Sequence, residues 1–186
     1  MQIVLASSSS IRKQILSNYM EFTTISPNID EKAIRHEDPK LLTLQIANAK
    51  MEAVQDKCPD SIVICLDQVI LVNNKILEKP ESIEEAKEFI TNYNTYPAEC
   101  ISGLVIKNTK TNEKRECTVV AIQEFKGGLT SSIIDKIIKG KDCFWCAGAL
   151  MIEHPLLQPF LIKNDYPEAI MGLPIKEVMQ FIGELK

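Results

Sequence analysis

The chain has 186 residues, of which 45% are hydrophobic and 25% charged, a composition typical of a globular protein with a sizeable core. Its net charge of −4 excludes an overall basic surface for nucleic acid, so an anionic ligand would need a local cluster of Lys and Arg. No apolar run approaches the length of a membrane span and no signal segment opens the chain. We therefore expect a cytoplasmic protein that binds neither nucleic acid nor membranes.

The N-terminus is an apolar strand that runs into four serines. Residues 2–5 favour a strand, and apolar side chains at helical spacing predict a helix at residues 10–19. The free N–H groups at a helix start favour phosphate, and Arg12 could add a planar fork of donors. Serine also caps helices whatever its other role, and for this segment alone we favour the capping interpretation.

A short strand at residues 22–26 is followed by a charged surface loop that contains Glu31. Asp38 and Pro39 then open a second helix, because Asp caps a helix and Pro fits its first turn. Lys50 lies near the middle of this helix, where a long lysine stem usually extends to solvent.

Asp67 is the most informative single residue. Residues 61–66 read as a buried strand, Asp67 and Gln68 interrupt the apolar run, and the run resumes at residues 69–72. A carboxylate at this place is costly if it is buried without a partner. Two interpretations stay open. Backbone donors at a strand end or bulge satisfy it, or it binds a hard divalent cation or orients a water for attack.

The second half of the chain mixes strands with helices. The predicted elements are a turn at Asn73-Asn74, a strand-like segment ending at Lys79-Pro80, a helix from Ser82 to about Tyr93, strands at 98–107 and 114–125, a helix at 130–138 and a final amphipathic helix after Gly172-Leu173-Pro174. This pattern predicts an α/β fold with a mixed sheet, because a purely parallel sheet would alternate strands and helices more regularly.

Six polar residues together indicate a chemistry that none of them indicates alone. They supply three cations, two carboxylates and a helix-start anion site, which are the parts for metal-assisted attack on a phosphoanhydride. Carboxylates hold the metal, cations neutralise developing charge, and one carboxylate activates water. The set is Ser7, Arg12, Glu31, Lys50, Asp67 and Lys79.

Several short motifs follow the order of one known family. Residues 5–12 match the form L-A-S-x-S-P-x-R, with Ser10 in place of the proline. The other matches are Ile29-Asp30-Glu31, Ile46-Ala47-Asn48-Ala49-Lys50, Leu66-Asp67-Gln68-Val69, Lys79-Pro80, Cys146-Ala147-Gly148, Glu153 and Gly172-Leu173-Pro174. The ordered set resembles the Maf family of nucleoside triphosphate pyrophosphatases.

This resemblance implies a single Maf-like domain over residues 1–186. Its fold would be α/β, with a mixed sheet, helices on both sides and two lobes around a nucleotide cleft, similar to ITPase-like proteins. The implied reaction converts a nucleoside triphosphate to the monophosphate and pyrophosphate with Mg²⁺, or with Mn²⁺ or Co²⁺. The implied role is house-cleaning of modified nucleotides by a homodimer.

The resemblance also assigns roles to residues. Asp67 becomes the general base and, with Glu31, a metal ligand. The implied catalytic residues are Asp67, Glu31, Lys50 and Lys79, and the implied substrate-binding residues are Ser7, Arg12, Gln68 and Glu153. The two lysines would also bind the triphosphate, and Gln68 and Glu153 would contact the metal or the base.

Two branches of the family differ in substrate. Residues 67–69, residues 146–148 and Glu153 resemble the branch of 7-methyl-GTP pyrophosphatases more than the branch that prefers dTTP and UTP. Met151 stands where relatives of the first branch often carry Lys, and the residues around Glu153 also depart from their pattern. The base preference therefore stays open.

Two other functions fit parts of the sequence. One is a non-catalytic nucleotide-binding regulator of cell division, against which the intact Asp67 argues. The other is a dithiol redox protein, because Cys143 and Cys146 have the spacing of a redox pair. Gly148 argues against the long helix that such a pair would need, and a disulfide framework is not expected without an export signal.

Overall fold

The computed structural model describes residues 1–164 and 166–186 as a mixed α/β fold. The strands in the described residues are β1 (Gln2–Ala6), β2 (Thr23–Ile25), β3 (Ser61–Val72), β4 (Lys75–Leu77), β5 (Ala98–Asn108), β6 (Lys114–Phe125) and β7 (Leu161–Asn164). The α-helices in the same residues are α1 (Ser10–Ser17), α2 (Pro39–Val54), α3 (Ile83–Asn92), α4 (Ser131–Lys139), α5 (Pro167–Ile170) and α6 (Ile175–Leu185). None of these helices is both long and apolar enough to cross a lipid bilayer.

The strands form one sheet in the order β2-β1-β3-β5-β6-β7, and β4 pairs with β3 off this path. Strand β1 runs parallel to both of its neighbours, so that Val4 lies opposite Thr23 on one side and Val63 on the other. The β3–β4 and β6–β7 pairs are antiparallel. The prediction of a mixed sheet is confirmed.

Side-chain caps define where the longer helices begin. The Ser9 hydroxyl accepts a hydrogen bond from the Arg12 N–H at the start of α1, and the Asp38 carboxylate accepts from the Lys40 N–H at the start of α2. Ser82 and Thr130 cap α3 and α4 in the same way. The predictions of these four helices are confirmed, although α1 ends at Ser17, two residues before its predicted end.

The chain divides into two compact units. Unit 1 comprises Met1–Gln68, Ile101–Val119 and Gly172–Lys186, and unit 2 comprises Val69–Cys100 and Val120–Met171. Strands β3, β5 and β6 contribute residues to both units.

The core of unit 1 forms where α2 packs on one face of the sheet. Buried side chains that share this cluster are Val4, Ala6, Ala47, Met51, Val54, Cys58, Val63, Cys65 and Val105. The strand members recur every second residue and the helix members recur every three or four, as the two periodicities require. Asp67 and Lys50 continue these same two patterns, so each polar residue lies on the face that meets the other element.

Gly103 of β5 allows α2 to approach the sheet closely. A Cβ atom at this position would lie 2.4 Å from the carbonyl carbon of Thr43, which belongs to the backbone of α2. No side chain can occupy that space unless the helix moves.

Two features differ from the predictions. The interruption expected at Asp67 and Gln68 is wrong for the backbone, because β3 is continuous from Ser61 to Val72. Polar side chains there changed the hydropathy pattern without breaking the strand. The short strand β7 and the single-turn helix α5 were not predicted at all.

Candidate active site

Lys50, Asp67 and Glu31 form an ion-paired cluster in unit 1. The Lys50 Nζ lies 2.7 Å from Asp67 Oδ1 and 3.0 Å from Glu31 Oε1. The Lys50 and Asp67 side chains are only 6% and 11% exposed, whereas the Glu31 side chain is 47% exposed. The structure thus brings together three of the residues that the sequence predicted as catalytic.

The Lys50 ammonium uses all three of its N–H donors. Besides the two carboxylates, it donates to the backbone carbonyl of Leu66 at 3.4 Å. This full set of acceptors explains how a lysine can be buried among apolar residues of α2. The expectation that its stem extends to solvent is wrong, because Asp67 and the Leu66 carbonyl lie across from it on β3.

Arg12 connects α1 to two other segments of unit 1. Its Nε donates to the Gly172 carbonyl at 2.9 Å and its Nη1 to the Leu66 carbonyl at 3.3 Å. Burial lowers the pKa of the Arg12 guanidinium, and the negative charges of Asp67 and Glu31 act in the opposite direction. The guanidinium still keeps its charge, as arginine does throughout proteins. Arg12 therefore adds a second cation beside Lys50.

The serine-rich turn is arranged as a helix cap. Ser9 caps α1, and the buried Ser7 hydroxyl accepts a hydrogen bond from the Ser9 N–H at 3.2 Å. The capping interpretation of this segment is confirmed for Ser9. The substrate-binding role of Ser7 stays a prediction.

The backbone angle and the close neighbours of residue 172 both favour a glycine there. Its φ angle is +104°, and a Cβ atom there would lie 3.2 Å from both Arg12 Nε and Gln68 Oε1. The Gln68 amide also donates to the Ser102 hydroxyl at 3.3 Å. Gly172 of the motif Gly172-Leu173-Pro174 thus has a physical reason, since its missing side chain leaves room for Arg12 and Gln68.

Lys79 and Glu153 belong to unit 2, where both side chains are exposed. Their charges act on the Cys146 thiol. Burial and the negative charge of Glu153 raise the pKa of this thiol to about 12, whereas Lys79 acts in the opposite direction. Such a thiol is poorly ionised, which is unfavourable for a dithiol redox function of Cys143 and Cys146.

The segment Cys146-Ala147-Gly148 is a fixed turn beside the end of β4. The Gly148 N–H donates to the Glu78 carbonyl at 2.8 Å, and the Tyr93 hydroxyl donates to the Gly148 carbonyl at 2.7 Å. Gly148 has a φ angle of +61°, and a Cβ atom there would lie 2.6 Å from the Tyr93 hydroxyl oxygen. Sequence reasoning missed Tyr93, whose only signal was an aromatic residue at the end of a helix.

The cluster in unit 1 brings together side chains of the types that bind phosphate and a divalent cation. Two carboxylates share one ammonium, and a guanidinium donates to the same carbonyl as that ammonium. Mg²⁺ is usually held by one or two carboxylates together with substrate phosphates and water, so Glu31 and Asp67 fit as its protein ligands. No group of three or more His, Cys, Asp or Glu residues is placed to hold a metal ion in the described part of the chain.

Comparison with known proteins identifies the family. Residues 2–185 match the family described as Maf-like protein, and the chain belongs to it. A 7-methyl-GTP pyrophosphatase of Dictyostelium discoideum is 40% identical, covering 92% of this chain and 91% of the relative. A 7-methyl-GTP pyrophosphatase of Vibrio vulnificus is 32% identical, covering 98% and 94%. A dTTP/UTP pyrophosphatase of Pyrococcus furiosus is 30% identical, covering 97% and 94%.

A HAM1 protein from Coxiella burnetii is a similar solved structure. It aligns with a TM-score of 0.39 at 15% identity, covering 67% of this chain and 73% of that chain. The alignment is too weak to bear on function. The family predicted from the ordered motifs is confirmed by the sequence matches alone.

Proposed function

We propose that this protein hydrolyses a nucleoside triphosphate to the monophosphate and pyrophosphate, with 7-methyl-GTP-like nucleotides preferred over dTTP and UTP. The names of the relatives support the reaction class, and the 40% identity to a 7-methyl-GTP pyrophosphatase supports the preference. Within the structure, one observation carries the proposal. A buried carboxylate, Asp67, is fixed by a buried ammonium beside a second carboxylate.

Asp67 would act as the general base. Water adds to a phosphorus of the α–β anhydride, the anhydride bond breaks, and the water proton passes to the Asp67 carboxylate. Lys50 holds that carboxylate in one orientation through the 2.7 Å contact. Because an oriented base is needed before the proton can move, Lys50 serves the reaction even where it does not touch phosphate.

The cations Arg12 and Lys79 would bind phosphate oxygens. The Nε and Nη1 atoms of Arg12 donate to two backbone carbonyls, and its Nη2 could donate to a phosphate oxygen. The planar guanidinium group suits the geometry of phosphate. The exposed Lys79 ammonium would act as a point charge.

Glu31 and Asp67 would hold the divalent cation, Mg²⁺ or alternatively Mn²⁺ or Co²⁺. When bound, such an ion neutralises phosphate charge that builds up during the reaction. The homodimer, the cytoplasmic location and the house-cleaning role stay predictions.

A nucleotide panel tests the proposal directly. Purified protein is incubated with 7-methyl-GTP, GTP, dTTP and UTP, each with Mg²⁺ and with EDTA, and pyrophosphate and orthophosphate are measured separately. We expect pyrophosphate as the product, fastest from 7-methyl-GTP, and no reaction in EDTA. Release of orthophosphate alone would overturn cleavage between the α and β phosphates.

A further inference from the structure

Trp145 is a large aromatic side chain that the fold leaves in water. It is 78% exposed, more than any other large hydrophobic side chain in the described part of the chain. It ends the short 3₁₀ turn Asp142–Trp145, whose Cys143 is fully buried. The backbone on either side is therefore anchored while the indole ring faces outward.

The anchoring continues on the C-terminal side of Trp145. The Cys146 N–H donates to the Cys143 carbonyl at 3.2 Å, and the Gly148 N–H donates to the carbonyl of Glu78, the residue before Lys79. The Tyr93 hydroxyl fixes the same turn, because it donates a 2.7 Å hydrogen bond to the Gly148 carbonyl. Trp145 is consequently displayed on a fixed loop of unit 2, next to residues already assigned to nucleotide binding.

Charged side chains of both signs accompany this loop. Asp142 begins the 3₁₀ turn that Trp145 ends. Glu153, Asp142 and Lys79 all influence the thiol of Cys146, the residue that follows Trp145. Because Lys79 is proposed to bind phosphate, the two carboxylates are the groups that can balance a cationic base. An aromatic face accompanied by carboxylates attracts positively charged rings through the quadrupole of the indole and through direct charge pairing.

We propose that Trp145 stacks on the base of an N7-methylated guanine nucleotide, whose positive charge Glu153 and Asp142 balance. Methylation at N7 gives the purine a fixed positive charge, so the methylated base gains cation–π attraction that neutral guanine lacks. This inference rests on the proposed function. It assigns the base preference of the proposed enzyme to Trp145, which lies outside the motifs that carry the family resemblance. Trp145 would be a specificity residue and would take no part in bond breaking.

Fluorescence gives a direct test, because Trp145 is the protein's single tryptophan. The ligand is 7-methyl-GMP, which lacks the anhydride bond and is not consumed, and GMP is the matched control. We expect saturable quenching by 7-methyl-GMP and at least about tenfold weaker binding of GMP, the ratio for roughly 1.4 kcal/mol of cation–π attraction. Free N-acetyltryptophanamide corrects for collisional quenching and for absorbance by the nucleotide.

Kinetics give the second test. In Trp145→Ala we expect kcat/KM for 7-methyl-GTP to fall by about tenfold, mainly through KM, with a much smaller change for GTP. Trp145→Phe should recover part of the loss, since it keeps an aromatic face. Tyr96→Ala is the control, because Tyr96 is another exposed aromatic residue of unit 2 and should leave the ratio of the two substrates unchanged.

The outcomes separate this inference from the proposed function. Quenching no stronger than that of N-acetyltryptophanamide, or an equal loss for both substrates in Trp145→Ala, would overturn the base-stacking role while pyrophosphate release still supports the enzyme. A fluorescence change that follows protein concentration instead of nucleotide would assign Trp145 to a contact between copies of the chain, and would also overturn the inference.

Discussion

Lys50 and Asp67 carry opposite charges at a place with almost no exposure to water. A buried ion pair is costly to form, since both ions lose hydration, and it persists only when their remaining donors and acceptors are satisfied. Here the Leu66 carbonyl and the Glu31 carboxylate complete the contacts of the ammonium. Such a pair is weak evidence of stability, so we assign it to the proposed reaction instead.

Replacement of Asp67 by Asn tests its role as base. Asparagine keeps the shape and can still contact Lys50 but cannot accept the water proton, so kcat for pyrophosphate release should fall by about 10²–10⁴-fold. Asp56→Asn is the control, because Asp56 is an exposed carboxylate outside the cluster. Retention of activity within a few-fold of the unmodified protein would remove Asp67 from the mechanism.

A double-mutant cycle tests the pairing of Lys50 with Asp67. Lys50→Met leaves Asp67 buried without its partner and should lower the free energy of unfolding by about 3–5 kcal/mol. Adding Asp67→Asn to Lys50→Met should restore part of this loss, because the unpaired charge is gone. Urea unfolding of the two single variants and the double variant measures the coupling. Simple additivity would show that the two charges do not interact.

The Cys146 thiol gives a prediction about pH. Burial raises its pKa to about 12 in the folded protein. Between pH values of about 8.5 and 12, the thiol therefore stays neutral in the folded protein, whereas the same thiol ionises in the unfolded chain. At pH 8 roughly one thiol in ten thousand would be ionised, and alkylation by iodoacetamide should be far slower than for an unfolded cysteine. The contribution to stability is complete below the unfolded pKa of about 8.5 and declines as pH rises above it.

Mass spectrometry of the alkylated peptide checks this rate, with urea-unfolded protein as the reference. Rapid modification of Cys146 in the folded protein at pH 7.5 would contradict a raised pKa of this thiol. It would also favour the redox interpretation. Cys65 is an internal comparison, since burial raises its pKa to about 12 as well.

At the scale of elements, helix α2 and strand β3 place the cluster. Each contributes a residue in phase with its own apolar face, so the packing that buries the core also brings Lys50 to Asp67. The distance between α2 and the sheet depends on Gly103, where the helix backbone leaves no room for a side chain. The geometry of the Lys50–Asp67 pair therefore depends on a glycine, which has no side-chain functional group.

Gly103→Ala should move α2 away from β5. We expect a loss of about 1–3 kcal/mol in unfolding free energy from overpacking, together with a fall in kcat as Lys50 shifts from Asp67. Gly183→Ala is the control, because its added methyl meets nothing within 4 Å. As an exposed position within α6, it should gain about 0.5–1 kcal/mol. Equal effects of the two changes would show that Gly103 does not set the helix position.

Periodicity and capping residues were sufficient to predict most elements. Helix α2 was predicted because Asp38 and Pro39 signal a helix start, and the helix follows from that position. Strand β7 and helix α5 were missed because each spans only four residues, too few for a period to be visible. The continuity of β3 was missed because hydropathy describes side chains, whereas the strand is built from backbone pairing.

At the scale of the whole molecule, the protein has a net charge of −4, although its proposed substrate is a polyanion. Such a protein cannot attract the triphosphate through its overall field, so the attraction must come from a few cations and from a bound metal ion. The metal should therefore have a large effect on nucleotide affinity.

Ligand-induced stabilisation tests this requirement. An α,β-methylene analogue of 7-methyl-GTP, which cannot be cleaved at that position, should raise Tm more with Mg²⁺ than with EDTA. At a ligand concentration of 100 times Kd the gain is about 2.7 kcal/mol. Mg²⁺ alone, without nucleotide, is the control. The same Tm shift in Mg²⁺ and in EDTA would contradict a metal held by Glu31 and Asp67.

Much of the candidate site was predictable from residue types in motif order, which identified Asp67, Lys50 and Glu31 correctly as neighbours. The ion pairs of Lys50 with both carboxylates were not predictable, because they depend on how α2 packs on the sheet. Tyr93 was missed for the same reason, since its hydroxyl reaches Gly148 only in the folded chain.

The carbonyl oxygen of Leu66 accepts hydrogen bonds from both Lys50 and Arg12. Every amino acid supplies that oxygen, so a scan of alanine variants would retain it and would report position 66 as a mere packing residue. The link between the two cations is thus hidden from conventional mutagenesis.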